Sequence, residues 1–231
     1  MRTAVAFFAA LLASRAAFAA PSDIAAEYRL TYTGLTIGHV SETYSRRGDT
    51  YAIRSVARAE GPLKLFFDDQ ITLQSSGRVD AAGLQPLEFA QRRASTAKGA
   101  IHARFDWADG LMRSDSEGRT SEVPLPARTQ DRISVMYQFM NLAPGDATVT
   151  MPMSNGRKVE LYTYRFVGEE PVATPAGEFD TLHYERVTSG PHEAKAQVWL
   201  ARDRFNFPVR VVFEDPKGLR VEQILIGLAT H

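Results

Sequence analysis

The side chains able to do chemistry are scattered. The five histidines, His39, His102, His183, His192 and His231, never fall two or four residues apart, and no H-E-x-x-H occurs. Spacing alone therefore builds no metal site from them. The chain has no cysteine, which excludes thiolate catalysis and cysteine zinc sites. Asp68-Asp69 and Glu169-Glu170 supply the two adjacent acid pairs weighed as a hydrolytic couple. Neighbours on a strand face opposite ways, so neither pair acts as a unit there. No G-x-S-x-G presents a nucleophilic serine, and no G-x-G-x-x-G or Walker pattern cradles a phosphate. Ser134, three residues after Asp131, reads as helix-start chemistry. The sequence names no catalytic residue, no metal ligand and no cofactor.

The polar and apolar residues around position 131 are more suggestive. Asp131-Arg132 opens a segment, Asp131 to Asn141, in which Ile133, Met136, Tyr137 and Met140 recur at helical spacing, with Phe139 to one side. Thr129, Gln130 or Asp131 is placed to cap it, and Pro144-Gly145 stops it. An acid there stabilises the helix dipole by ~0.5 kcal/mol, or it belongs to a polar site at the opening of a sheet. The stripe is either plain core or a lid over an apolar cavity, for which methionine suits adaptable contacts. The ligand-binding candidates are Trp107, Asp131, Arg132, Met136, Tyr137, Met140 and Trp199, with Phe66-Phe67 as further lining. Of the basic pairs, Arg92-Arg93 stands out, because a strand sends its two arginines to both faces and an inward one needs a partner.

The elements that must hold these residues are strands. Tyr28, Leu30 and Tyr32 share one face and Arg29, Thr31 and Thr33 the other, and residues 160–166 alternate likewise. Turn signals recur at Arg47-Gly48-Asp49, Ala82-Gly83, Ala108-Asp109-Gly110, Glu117-Gly118, Ser154-Asn155-Gly156, Pro175-Ala176-Gly177, Ser189-Gly190-Pro191 and Pro216-Lys217-Gly218. Asn155-Gly156 suits a type I′ hairpin. Residues 61–69 read as a helical turn or tight crossover. The expected fold is mainly β: a strongly curved antiparallel sheet or open β-barrel of about eleven strands, with one or two short helices.

Residues 1–19 read as a secretory signal peptide. Arg2 precedes the apolar run Ala4 to Ala13, and Ala17-Phe18-Ala19 suits cleavage after Ala19. The run is about ten residues, half of the roughly 20 that span a bilayer. Residues 20–231 then form one β-rich domain in the periplasm or outside the cell, with no membrane span left. Twenty-seven basic residues balance 27 acidic ones, which argues against nucleic acid as a partner.

A series of short motifs runs in order from about Tyr28 to Leu228: Tyr32-Thr33-Gly34-Leu35-Thr36-Ile37-Gly38, Gly83-Leu84-Gln85-Pro86, Asp131-Arg132-Ile133-Ser134, Val167-Gly168-Glu169-Glu170, Thr174 to Phe179, Trp199-Leu200-Ala201 and Phe207-Pro208-Val209-Arg210. In these the chain resembles the exported bacterial domain-of-unknown-function family 3108. The resemblance implies export and a β-rich fold, and no activity. The C-terminal third, through Trp199-Leu200, Pro208 to Arg210 and Asp215 to Gly218, is similar in architecture to periplasmic lipoprotein carriers. Three readings result. The first is a non-enzymatic periplasmic protein that holds a hydrophobic or amphiphilic small molecule in a curved sheet. The second is an envelope module with a filled core that recruits a protein partner at a sheet edge. The third is a hydrolase of envelope polymers, which needs a convergent polar site. A cavity of several hundred Å³ between helix and sheet separates the first from the second.

Overall fold

A computed structural model of the chain describes residues 21–61, 70–94, 96, 99–142 and 146–231. The expectations for 1–19, for the stretch 62–69 with Phe66-Phe67 and Asp68-Asp69, and for Pro144-Gly145 lie outside the described residues.

Eight strands run first as a meander: β1 (Asp23–Tyr32), β2 (Leu35–Arg47), β3 (Thr50–Ala59), β4 (Gln70–Asp80), β5 (Gly83–Arg93), β6 (Ile101–Asp106), β7 (Leu111–Ser116) and β8 (Arg119–Pro124). A two-residue β9 (Gln130–Asp131), the helix α1 (Ser134–Gln138) and a 3₁₀ turn (Phe139–Asn141) follow. A second meander closes the chain: β10 (Thr148–Ser154), β11 (Val159–Thr174), β12 (Gly177–Arg186), β13 (Lys195–Ala201), β14 (Phe207–Glu214) and β15 (Arg220–Thr230). All fifteen strands join one sheet in the order β8-β7-β6-β5-β4-β3-β2-β1-β15-β14-β13-β12-β11-β10-β9. Every pairing is antiparallel except that of β9 with β10.

The connection from β8 to β9 forces this sheet to roll up. The two strands sit at opposite edges, and laid flat those edges would be about 65 Å apart. Only Leu125 to Thr129 joins them, which reaches at most about 20 Å. The β10–β11 turn accordingly lands on the first meander. Ser154 Oγ lies 3.0 Å from Met112 Sδ on β7, and Arg157 Nε donates to Ser116 Oγ at 2.8 Å. Gly156 makes this approach possible: a Cβ there would stand 2.6 Å from the Ile101 side chain. No ladder joins the two edges, so the barrel stays open.

Three findings correct the expectations. The sheet has fifteen strands rather than about eleven. All eight turn signals fall between strands, but other connections carry none of them. Between β13 and β14 the left-handed positions are taken by Phe205 (φ 57°), a residue that does not advertise a turn, and Asn206 (φ 53°). The helix is five residues long, not eleven, with Asp131 in a strand and Phe139 to Asn141 in a 3₁₀ turn. Asn155-Gly156 is not type I′, since only Gly156 has positive φ. Asn155 instead turns its own amide oxygen onto the N–H groups of Arg157 and Lys158. The two-residue turns with both φ positive are Thr33-Gly34, between β1 and β2, and Glu117-Gly118, between β7 and β8.

Candidate functional site

The inner wall of the first meander is an orderly grid, because directly opposed residues in an antiparallel ladder share a face. Tyr44, Ile53, Ser75 and Phe89 face inward in one row across β2 to β5. The next row is Glu42, Ser55, Leu73 and Gln91, and the next is Val40, Ala57, Ile71 and Arg93. Leu30 opposes Gly38 on one side and Gln223 on the other, and Gln223 opposes Val211. Together with Arg132, Ile133 and Met136 from the start of α1, the last three rows enclose a cavity of about 350 Å³. Eight of its fourteen lining residues are apolar. Glu42, Ser55, Gln91, Arg93, Arg132 and Gln223 are the polar exceptions.

The helix is fastened across this space by specific bonds. Asp131 is fully buried, and its Oδ1 accepts the N–H groups of Ile133 (3.0 Å) and Ser134 (2.9 Å). The Ser134 hydroxyl in turn accepts the Asp131 N–H at 2.8 Å, so the pair caps the segment reciprocally. Asp131 Oδ2 accepts the Ser75 hydroxyl at 2.5 Å, and Ser75 shares a 2.9 Å bond with Tyr51. Burial pushes the Asp131 carboxyl up to about 6, against the opposing pull of these bonds. At the other end, Gln138 accepts the Leu84 N–H (2.8 Å) and donates to the Ala82 carbonyl (2.9 Å). Its side chain lies over Gly83, where a Cβ would collide with it. Gln130 adds a bond to the Leu84 carbonyl at 2.8 Å.

The segment is buried on more than one side. Ile133 and Tyr137 pack into one core with Tyr28, Tyr44 and Phe207, while Val135 and Phe139 pack into a second with Tyr164, Tyr184 and Leu200. Tyr137 stacks on Tyr44 at 5.1 Å between ring centres, and its hydroxyl donates to Glu42 at 3.4 Å. Ser55 donates to the same carboxylate at 2.9 Å. Burial holds Glu42 above the ordinary carboxylate value, with the two hydroxyls pulling the other way.

The structure thus separates the seven candidate residues. Arg132 and Met136 line the cavity, Arg132 donating to Gln91 at 2.9 Å. Asp131 and Tyr137 do not line the cavity: Asp131 bonds Ser75 in the neighbouring row, and Tyr137 bonds the cavity-lining Glu42. Met140 is half-buried against the first core and does not line the cavity. The two tryptophans lie elsewhere. Trp107 stacks on Phe105 and donates to the Pro86 carbonyl at 2.7 Å. Trp199 is sandwiched between the His183 ring at 4.2 Å and the Arg210 guanidinium at 4.5 Å, and its indole N–H meets Glu170. Glu169 turns away from Glu170 to Arg202. Arg93 faces the cavity and Arg92 lines a groove on the opposite face.

Glu42, Ser55, Gln91 and Gln223 were missed in the sequence. The signal was present for two of them. Glu42 sits between Val40 and Tyr44, and Ser55 between Ile53 and Ala57, so period two already turns both inward as polar residues on an apolar face. Among the described residues, no three His, Asp or Glu side chains converge as a metal site. Nor is any helix there long and apolar enough to cross a membrane.

No curated protein matches the chain. Among solved structures, a protein from Bacteroides fragilis described as exported with a YmcC-like fold is 15% identical, with a TM-score of 0.35 over 91% of this chain and 96% of its own. A protein of Parabacteroides distasonis described as a lipoprotein is 11% identical, with a TM-score of 0.39 over 91% of this chain and 97% of its own. A Vibrio parahaemolyticus domain described as outer membrane lipoprotein-sorting is 11% identical, with a TM-score of 0.29 over 91% and 86%. The family model of proteins of unknown function DUF3108 matches residues 27–224, and the chain belongs to that family.

Proposed function

We propose that this protein is a non-enzymatic periplasmic carrier that holds an amphiphilic small molecule between α1 and the inner wall of the sheet. The observation that carries this reading is the cavity of about 350 Å³. That volume lies within the range of about 300–1,000 Å³ usual for small-molecule sites. Its aliphatic walls suit a hydrocarbon chain. Its polar groups, Glu42 and Ser55 on the wall and Arg132 with Gln91 beside the helix, suit the hydroxyl, amide or acid group of an amphiphile. Glu42 is the one carboxylate among the residues lining the cavity.

The test is native mass spectrometry of protein purified without detergent, with organic extraction, followed by titration with a fluorescent fatty acid. A co-purifying apolar mass or saturable uptake of the probe supports the reading. Met136→Glu, which replaces an apolar wall of the cavity with a carboxylate, should weaken probe binding at least tenfold and leave the β spectrum intact. Met140→Glu, outside the cavity, should bind the probe as the parent protein does. A clean mass with no probe uptake, or equal binding by Met136→Glu, refutes it.

A further inference from the structure

The apolar inner wall does not stop at the mouth of the cavity. Two residues beyond Leu30 on β1 comes Tyr32, on the same face, opposed by Leu35 on β2 and by Val221 on β15. Val221 is opposed by Phe213 on β14, two residues beyond the cavity-lining Val211. Leu35, Tyr32, Val221 and Phe213 therefore form one unbroken row across four strands, about 14 Å long at the usual strand spacing. This row is wet. Leu35 is 70% exposed, Phe213 45% and Tyr32 37%, and Leu219 beside them in the β14–β15 turn is 46% exposed. These four are half of the eight large hydrophobics exposed among the described residues, gathered at one end of the sheet. An apolar patch of this kind, continuous with a cavity, marks an interaction surface.

The patch is held in shape. Thr33 and Gly34, both at positive φ, make the tightest turn available between β1 and β2 and fix Tyr32 against Leu35. Asp215 Oδ1 accepts the N–H groups of Lys217 and Leu219 at 2.8 and 2.9 Å, which sets the neighbouring turn. The charges around it are uneven. Glu214 is engaged by Lys195, and Glu222 by Arg210. Lys217 and Arg220, flanking Leu219, make no ion pair among the described residues, and neither does Asp215, whose carboxylate is held by the two backbone N–H groups.

We infer that this rim docks on an anionic lipid bilayer. Exposed aliphatic and aromatic side chains would enter the headgroup boundary, and the two unpaired cations would meet lipid phosphates. The docking deepens the carrier reading and rests on it for its purpose. A molecule leaving the bilayer would pass along Tyr32 and Leu30 into the cavity without crossing water.

The experiment is sedimentation of the full protein with vesicles of phosphatidylethanolamine and phosphatidylglycerol, and with vesicles of phosphatidylcholine alone. The protein should co-sediment with the anionic vesicles and at least tenfold less with the neutral ones. The Leu35→Glu/Phe213→Glu double variant changes only exposed side chains. It should lose anionic vesicle binding at least tenfold while taking up the fluorescent fatty acid from solution unchanged. Lys217→Glu/Arg220→Glu should also weaken binding. Absence of sedimentation, or sedimentation that either double variant leaves unchanged, overturns the inference. Failure of the carrier reading looks different: probe uptake is absent while vesicle binding still follows the rim.

Discussion

Replacing Asp131 by asparagine should change how stability depends on pH, by a predictable amount. Asp131 is fully buried, and its carboxyl sits at about 6 rather than 3.8 because burial disfavours the anion more than its hydrogen bonds favour it. A folded-state value raised above the unfolded one gives stability that is complete below the unfolded value. That stability is lost as pH rises through the folded value. The displacement from 3.8 to about 6, at 1.36 kcal/mol per pH unit, amounts to about 3 kcal/mol in all, of which about 2 kcal/mol falls between pH 4 and pH 7.5. Asparagine keeps an oxygen for the Ile133 and Ser134 N–H groups, and its amide N–H can donate to Ser75 Oγ, leaving the Ser75 proton for Tyr51. It carries no charge at any pH. Urea unfolding of both proteins, followed by tryptophan fluorescence and circular dichroism, gives the difference at each pH. All other titrating groups cancel in that difference if they do not couple to residue 131. The variant should gain about 2 kcal/mol relative to the parent between pH 4 and pH 7.5. A difference that stays flat over this interval refutes the assignment of a raised carboxyl at Asp131. One that moves the other way shows a carboxylate stabilised by its donors, and refutes the claim that desolvation dominates.

Other consequences are simpler. Gln138→Ala removes the clamp on the β4–β5 turn and should lower stability by about 1–2 kcal/mol, read as a shift in the urea midpoint with unchanged slope. Gly156→Ala places a Cβ 2.6 Å from the Ile101 side chain at a φ of +86°. It should cost about 3 kcal/mol, and a variant as stable as the parent would show that the β10–β11 turn does not rest on β6. Ser55→Ala leaves the Glu42 carboxylate with the Tyr137 hydroxyl as its donor, so a cavity probe with a basic group should bind with altered affinity while thermal stability shifts by about 1 kcal/mol.

The strands were legible because one face of each is buried and because glycine, asparagine and proline mark many of the turns. Tyr28, Leu30 and Tyr32 read correctly as one face, and the structure divides them among core, cavity and rim. What was not legible was the position of each strand along the barrel. Nothing local tells that β8 and β9 lie at opposite edges, or that Trp107 and Trp199 lie away from the cavity that their size and apolarity suggested they line. Ser75 and Glu42 reach the helix region from 56 and 95 residues away, so no window on the sequence contains both partners. The helix was overestimated because Ile133, Met136, Tyr137 and Met140 fit a helical period. That period measures burial, and this segment is buried on more than one side.

The cavity itself follows from the size of the sheet. About eight strands roll into a barrel whose interior side chains just fill it. A rolled sheet of fifteen encloses more space than its own side chains occupy, even with the aromatic cluster of Tyr28, Tyr44, Tyr51 and Phe207 packed inward. The chain inserts α1 and its 3₁₀ turn into that space, and Asp131 and Gln138 pin the insertion at both ends. Eight residues of helical structure, Ser134 to Asn141, cannot reach across the whole lumen. They seal the deeper part, where Val135, Phe139 and Tyr137 are buried, and leave the part toward Leu30 and Val211 with Met136 as its roof. Met136 touches both cores and lines the void between them. An unbranched side chain at that seam can change rotamer with little strain. A longer helix would have filled the lumen, so the shortness of this one leaves a cavity in a barrel too large for its own core.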